Sequence, residues 1–268
     1  MELRRANDET SGPAVIFLPG IVAPAQFRFA PLIGELGDGV QAFTKDLEVY
    51  DPGLRQDEYS IDTEVAGLLA AVDSADIERF YLYGHSAGGA IALAFATKHA
   101  DRLLGLALDE PASDFSLEAR AAWAEAFAPI QAMPANERMP AFLKAQVAAG
   151  VQPPPSPPGP PPEWMASRPA GIEAFLAALD SFVLPAPDPR FGGPVYFSYG
   201  SLSNPIWLGI RDRLASRFAS FTAEEYEGLH HLNTSHAAQP ARVAAALRNG
   251  LASIKRPASM IEPVAEVS

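Results

Sequence analysis

The stretch that most restricts this chain is Gly84-His85-Ser86-Ala87-Gly88-Gly89, directly after the apolar run Phe80-Tyr81-Leu82-Tyr83. A Gly-x-Ser-x-Gly pattern that closes a strand and opens a helix is the pattern of a nucleophile elbow. A serine on so sharp a turn has a strained backbone. The residues two before and two after it approach each other, so Gly84 and Gly88 must do without side chains. Gly89 lets the following helix sit tightly on the strand, and the small residues of Ala90–Ala96 suit burial against a sheet. The turn presents the Ser86 hydroxyl at a helix N-terminus, where free N–H groups and the helix dipole favour negative charge.

The rest of the chain supplies a sheet for that elbow. Ala14–Leu18 is a continuous apolar run closed by Pro19-Gly20, which reads as a buried strand and a turn. Residues 40–46 give a weaker strand, and Ile61–Val72 has helical spacing. Leu103–Leu108 and Pro194–Gly200 read as buried strands, and Phe221–Tyr226 as a weak one. Helices are expected over Arg211–Phe218 and Ala241–Ile254. Strands alternating with helices imply a mostly parallel sheet, an α/β fold. The alternation stops between Ala112 and Arg190, where helical patterns cover Leu117–Ala132, Pro140–Ala149 and Gly171–Phe182. Between the last two, eight of the ten residues 153–162 are proline. That run excludes helix and central strand, and it reads as an extended surface spacer. The whole stretch reads as a cap, dividing the chain into a core of 1–112 and 191–268 and a cap of 113–190.

At 268 residues, 48% of them hydrophobic, the chain has enough apolar surface for one large α/β core. A net charge of −12 argues against nucleic acid and anionic membrane surfaces as partners. With no cysteine, disulfides and thiolate metal sites are excluded. No apolar run is long enough to span a bilayer, and the first residues lack an apolar signal core. A cytoplasmic protein acting on a small molecule, without metal or cofactor, is the expectation.

A serine that attacks an acyl group needs two N–H donors aimed at the developing oxyanion. One falls to Ala87, next after Ser86. The other falls to the loop after the first apolar strand, Pro19-Gly20-Ile21-Val22-Ala23-Pro24, with Ile21 ahead of Val22.

With these pieces in place, the chain resembles the α/β-hydrolase superfamily. The matching segments are Leu18-Pro19-Gly20-Ile21, Lys45-Asp46-Leu47, the elbow, Pro194 to Pro205, and Gly228-Leu229-His230-His231 with Pro240 beyond. The resemblance spans roughly residues 12–112 and 190–255. It implies an eight-stranded, mostly parallel sheet flanked by helices, a helical cap after the sixth strand, and a Ser–acid–His triad. It also implies that the base follows a Gly-x-x, which selects His231 over its rivals His230 and His236. His85, inside the elbow, is expected to point away from Ser86 and pack the turn. Such folds usually place the acid after the strand ending at Gly200, but Gly200-Ser201-Leu202-Ser203-Asn204-Pro205 has no carboxylate. The alternative position, after the strand before the cap, maps onto Asp109-Glu110-Pro111, with Glu110 the better fit and Asp109 second. The implied activity is hydrolysis of an ester or related acyl bond through an acyl-enzyme, by Ser86, His231 and Glu110 with Ile21 and Ala87 as oxyanion donors. The cap aromatics Trp123, Phe127, Phe142, Trp164, Phe175 and Phe182 suggest an apolar pocket. The alternatives are a hydrolase-fold binding protein without turnover, for which the missing acid argues, and an acyltransferase or C–C bond hydrolase using the same serine.

Overall fold

A computed structural model describes residues 1–8, 11–155, 159–184 and 191–254. Part of the proline run (156–158), the end of the expected cap (185–190) and the chain beyond 254 lie outside the described residues.

The apolar runs form a seven-stranded sheet of β1 Arg4–Arg5, β2 Ala14–Leu18, β3 Gln41–Thr44, β4 Phe80–His85, β5 Leu103–Asp109, β6 Val195–Gly200 and β7 Phe221–Tyr226. The spatial order is β1-β3-β2-β4-β5-β6-β7. Every pair is parallel except β1 with β3. The helices are α1 Ala25–Arg28, α2 Ala30–Leu36, α3 Ile61–Ser74, α4 Ala87–Lys98, α5 Leu117–Gln131, α6 Ala135–Lys144, α7 Arg168–Ser181, α8 Ile206–Arg217, α9 Ser235–Ala238 and α10 Pro240–Ile254.

β2 and the Phe80–Tyr83 part of β4 are uninterrupted apolar runs because both faces of the sheet are covered. Ile16, Leu82, Leu106 and Phe197 share one core with residues of α3, α4 and α8. Val15, Phe17, Tyr81 and Ala107 pack on the opposite side with α2 and α10. Each such large apolar side chain contributes about 1.5–3 kcal/mol by leaving water.

Seven strands are described where the resemblance implies eight, and α5 to α7 lie between the fifth and sixth in chain order. The N-terminal edge is short because Asn7 replaces backbone with side chain. Its amide nitrogen donates to the Val40 carbonyl at 2.8 Å, and its amide oxygen accepts from the Ala42 N–H at 2.9 Å. Two helices are displaced from their expected bounds. α6 begins after Pro134, not at Pro140, which lies inside it. α8 begins at Ile206, five residues before Arg211, because the Asn204 side-chain oxygen accepts the Ile206 N–H at 3.0 Å and Pro205 presets the turn. Among the described residues no helix is long and apolar enough to cross a membrane.

The chain runs from β2 outward to β3, then returns across β2 to β4 and continues the other way. The carboxyl ends of β2 and β4 therefore flank the switch point at which open α/β sheets bind ligands. The loop after β2 holds Ile21, and the turn after β4 holds Ser86.

Candidate active site

Ser86 sits at φ 52°, ψ −114°, a conformation that costs a non-glycine residue about 1–3 kcal/mol. Its surroundings impose it. A Cβ on Gly84 would lie 2.3 Å from the Gly88 carbonyl oxygen, and one on Gly88 would lie 2.4 Å from that of Leu18. Backbone bonds fasten the turn: the Ser86 N–H donates to the Asp109 carbonyl (3.0 Å) and the Gly88 N–H to that of Pro19 (2.9 Å).

The Ser86 hydroxyl meets His231 Nε2 at 3.0 Å, and His231 Nδ1 meets Glu110 Oε2 at 2.8 Å. With Nδ1 carrying the proton toward the carboxylate, Nε2 is free to accept from Ser86. The other Glu110 oxygen accepts the Gly200 N–H at 2.8 Å. Thus Glu110 reaches the end of β6, the place where the sequence lacks a carboxylate. Its own backbone is left-handed, at φ 46°, where the chain turns off β5. All three side chains are buried.

The rival residues have other partners. Asp109 is the last residue of β5, two after Ala107, and alternate side chains of a strand share a face. It therefore lies on the Ala107 face, where His236 Nδ1 donates to its Oδ2 at 2.6 Å and the Tyr83 hydroxyl at 3.1 Å. His230 caps the turn at His231–Asn233 by accepting the Leu232 N–H. Asn204, in the segment that lacks a carboxylate, donates to the Ala145 carbonyl.

Beneath the site lies a buried polar cluster that sequence reading missed. Arg28 donates to the Thr234 hydroxyl at 3.2 Å and lies 3.5 Å from His85 Nε2. Burial lowers the Arg28 guanidinium below its ordinary range, partly offset by the charge of Asp109. Burial also pushes His85 well below the ordinary imidazole range, and nearby Arg28 adds to this. Burial outweighs the Asp109 hydrogen bond to bring His236 to about 4. Burial opposes ionisation of Asp109, but the hydrogen bond from His236 prevails and lowers it. The pair is therefore an aspartate accepting from a neutral imidazole. The only signal of this cluster in the sequence was the adjacency of two carboxylates, Asp109 and Glu110, at a strand end.

This pair makes folding sensitive to acid. Unfolded, His236 takes a proton near 6.5; folded, near 4. Between these values the unfolded chain binds the extra proton. Stability therefore falls as pH drops through that window, by on the order of 3 kcal/mol for this group. Urea unfolding at pH 7 and pH 4.5 measures the loss, and His236→Gln is expected to flatten it.

Above Ser86 opens a cavity of about 500 Å³. Ile21 and Ala87 line it beside Ser86, and Trp123, Phe127, Phe142 and Phe175 form apolar wall from α5 to α7. Trp164 lies outside, over Arg168, and Phe182 packs on Phe115. Among the described residues neither the Ile21 nor the Ala87 N–H donates to a protein acceptor. The loop carrying Ile21 is fixed by the Tyr50 hydroxyl, which donates to the Ile21 carbonyl at 2.5 Å. Asp46 steadies it further by accepting the Ala25 N–H at 2.7 Å.

The model of the family described as "Alpha/beta hydrolase family" matches residues 15–246. The chain belongs to the alpha/beta hydrolase family. No curated protein matches this hydrolase in sequence. Solved structures similar to it include a thermophilic esterase from Thermogutta terrifontis, 19% identical, TM-score 0.69, covering 95% of this chain and 94% of that one. Naproxen esterase from Bacillus subtilis is 18% identical, TM-score 0.59, covering 92% and 86%. A meta-cleavage product hydrolase (CumD) is 16% identical, TM-score 0.64, covering 94% of each chain. At these identities the likeness is one of fold.

Proposed function

We propose that this alpha/beta hydrolase is a serine hydrolase that cleaves an ester or related acyl bond of a small, apolar substrate through an acyl-enzyme. The observation that carries the reading is the unbroken chain Ser86 Oγ–His231 Nε2 (3.0 Å) and His231 Nδ1–Glu110 Oε2 (2.8 Å). His231 takes the Ser86 proton as Oγ attacks the acyl carbon. The Ile21 and Ala87 N–H groups hold the oxyanion, and Glu110 stabilises the imidazolium. His231 then gives its proton to the leaving group. Water enters, loses a proton to His231, and frees the acid and Ser86. The residues 113–190 act as the cap on the core of 1–112 and 191–268, and its aromatic wall selects apolar acyl groups.

The absent carboxylate after Gly200 was the reason to consider a binding protein without turnover. Glu110, hydrogen-bonded to the Gly200 N–H, supplies a carboxylate there, which supports catalysis instead.

A fluorophosphonate probe followed by peptide mass spectrometry tests the reading without knowledge of the substrate. An adduct on Ser86, lost in His231→Ala, is expected. Hydrolysis of a p-nitrophenyl ester series should then follow, with acid and not an alcohol-transfer product dominating when methanol competes with water. No adduct and no ester turnover, under conditions that label a control esterase, would overturn it.

A further inference from the structure

The edges of the His231 ring are accounted for by proton transfer; its faces are not. The indole of Trp207 lies on one face, ring centres 4.3 Å apart and planes 13° apart. His85 stacks on the other at 4.9 Å and 29°. Trp207 is itself fixed. It is buried, its Nε1–H donates to the Pro111 carbonyl at 3.0 Å, and Trp123 of the cavity wall meets it edge-on at 5.6 Å and 72°. Its place in the chain is equally specific: it opens α8 just past the segment that lacks the expected acid.

We propose that Trp207 is a positioning residue for the base. Its π face holds the His231 ring in the plane joining Ser86 to Glu110 and stabilises the imidazolium formed when Ser86 is deprotonated. This rests on His231 being the base. The face of an indole carries negative charge density, so a ring stacked on it is bound more tightly as a cation than as a neutral group. The contact is dry, where such attraction is strongest. The opposite face carries no competing charge, because burial keeps His85 neutral. The other ionisable groups around the ring are the Glu110 carboxylate on its edge, neighbouring His230, and, behind His85, the His236–Asp109 pair with Arg28. None of these groups hydrogen-bonds to Trp207, whose Nε1–H goes to the Pro111 carbonyl.

A tryptophan that only excludes water would, once removed, let water reach the ring and move its titration to higher pH, whereas loss of a π contact to the imidazolium moves it to lower pH. The distinguishing measurement is the rate of fluorophosphonate labelling of Ser86 against pH, with the His231 ring followed by NMR titration in the same samples. Trp207→Leu is expected to move the acid limb and the ring's titration midpoint to lower pH by about half to one and a half units, the size of a desolvated cation–π contact. Labelling at the plateau should slow about tenfold, the loss of one such contact in the transition state. Trp207→Phe, which keeps an aromatic face, should recover most of both. Wild-type chain biosynthesised with 5-fluorotryptophan keeps the fold and only withdraws charge from the ring face. Of the three tryptophans, Trp207 alone stacks on His231, so the midpoint should move in the same direction by less. If Trp207→Leu does not fold, the phenylalanine and fluorotryptophan proteins decide. Profiles and midpoints superimposable on wild type would overturn the proposal. Failure to label wild-type Ser86 would instead sink the hydrolase reading, while the NMR midpoints still test Trp207.

Discussion

Replacing Ser86 with alanine is expected to lower ester kcat/KM by about four to six orders of magnitude, the scale on which a nucleophile of this kind acts. On the proposed mechanism Oγ is the attacking group, and it lies 3.0 Å from the imidazole nitrogen that would take its proton. The neighbouring polar groups are turned elsewhere: Tyr83 to Asp109, and His85 to the underside of the His231 ring. Ser86→Gly should be equally inactive yet more stable. Glycine adopts a left-handed φ such as the 52° found here at no steric cost, which is worth about 1 kcal/mol. In a chain of this size that raises Tm by about 2–4 °C. An inactive Ser86→Gly protein melting at or below the wild type would show that the turn stores no strain. Activity retained in Ser86→Ala would remove Ser86 from the chemistry.

Glu110→Gln is expected to cut kcat by about a thousand- to ten-thousandfold at nearly unchanged Tm. An amide keeps the shape but favours the wrong imidazole tautomer and cannot stabilise the imidazolium. Asp109→Asn should do the reverse. It removes the charge that holds neutral His236 and offsets the partly buried Arg28, costing about 2–4 kcal/mol of stability. Its kcat should stay within about tenfold of wild type, since the Asp109 side chain bonds to Tyr83 and His236 and to neither Ser86 nor His231, and its backbone bond to Ser86 survives the change. Paired kcat and melting measurements on the two variants separate the roles. A large kcat loss in Asp109→Asn with none in Glu110→Gln would exchange them.

The parts of this molecule legible in its sequence are those governed by short-range constraint. The elbow is written in Gly84 and Gly88 because only a residue without a Cβ fits where the structure leaves 2.3–2.4 Å. The buried strands are written as apolar runs. The proposed acid is narrowed to two neighbours by what the Gly200 segment lacks, and the left-handed turn at Glu110, just past β5, separates its side chain from that of Asp109 and brings it to the end of β6. Among three clustered histidines, sequence alone offered no partner for each. Their assignments depend on carboxylates more than a hundred residues away: Glu110 for His231, Asp109 for His236. α1 and α2 went unread because Pro24, Pro31 and Gly34 interrupt the helical pattern. β1 went unread because two arginines do not look like a strand. The stacking of Trp207 on His231 crosses from α8 to the turn after β7, and no local pattern encodes it.

The hydrogen bond from Gly200 to Glu110 closes a loop of 90 residues, inside which the whole of α5 to α7 is strung. The entropy of closing a loop grows only with the logarithm of its length, so doubling it costs about 0.6 kcal/mol. The clasp that fixes the carboxylate is therefore almost indifferent to how much chain lies between its halves. Away from Trp123, which packs on Trp207 beside the His231 ring, residues can be added to or removed from that excursion with little penalty to the arrangement of Ser86, His231 and Glu110. On the proposed assignment, the length of the chain above the pocket and the geometry of the three residues below it can vary separately.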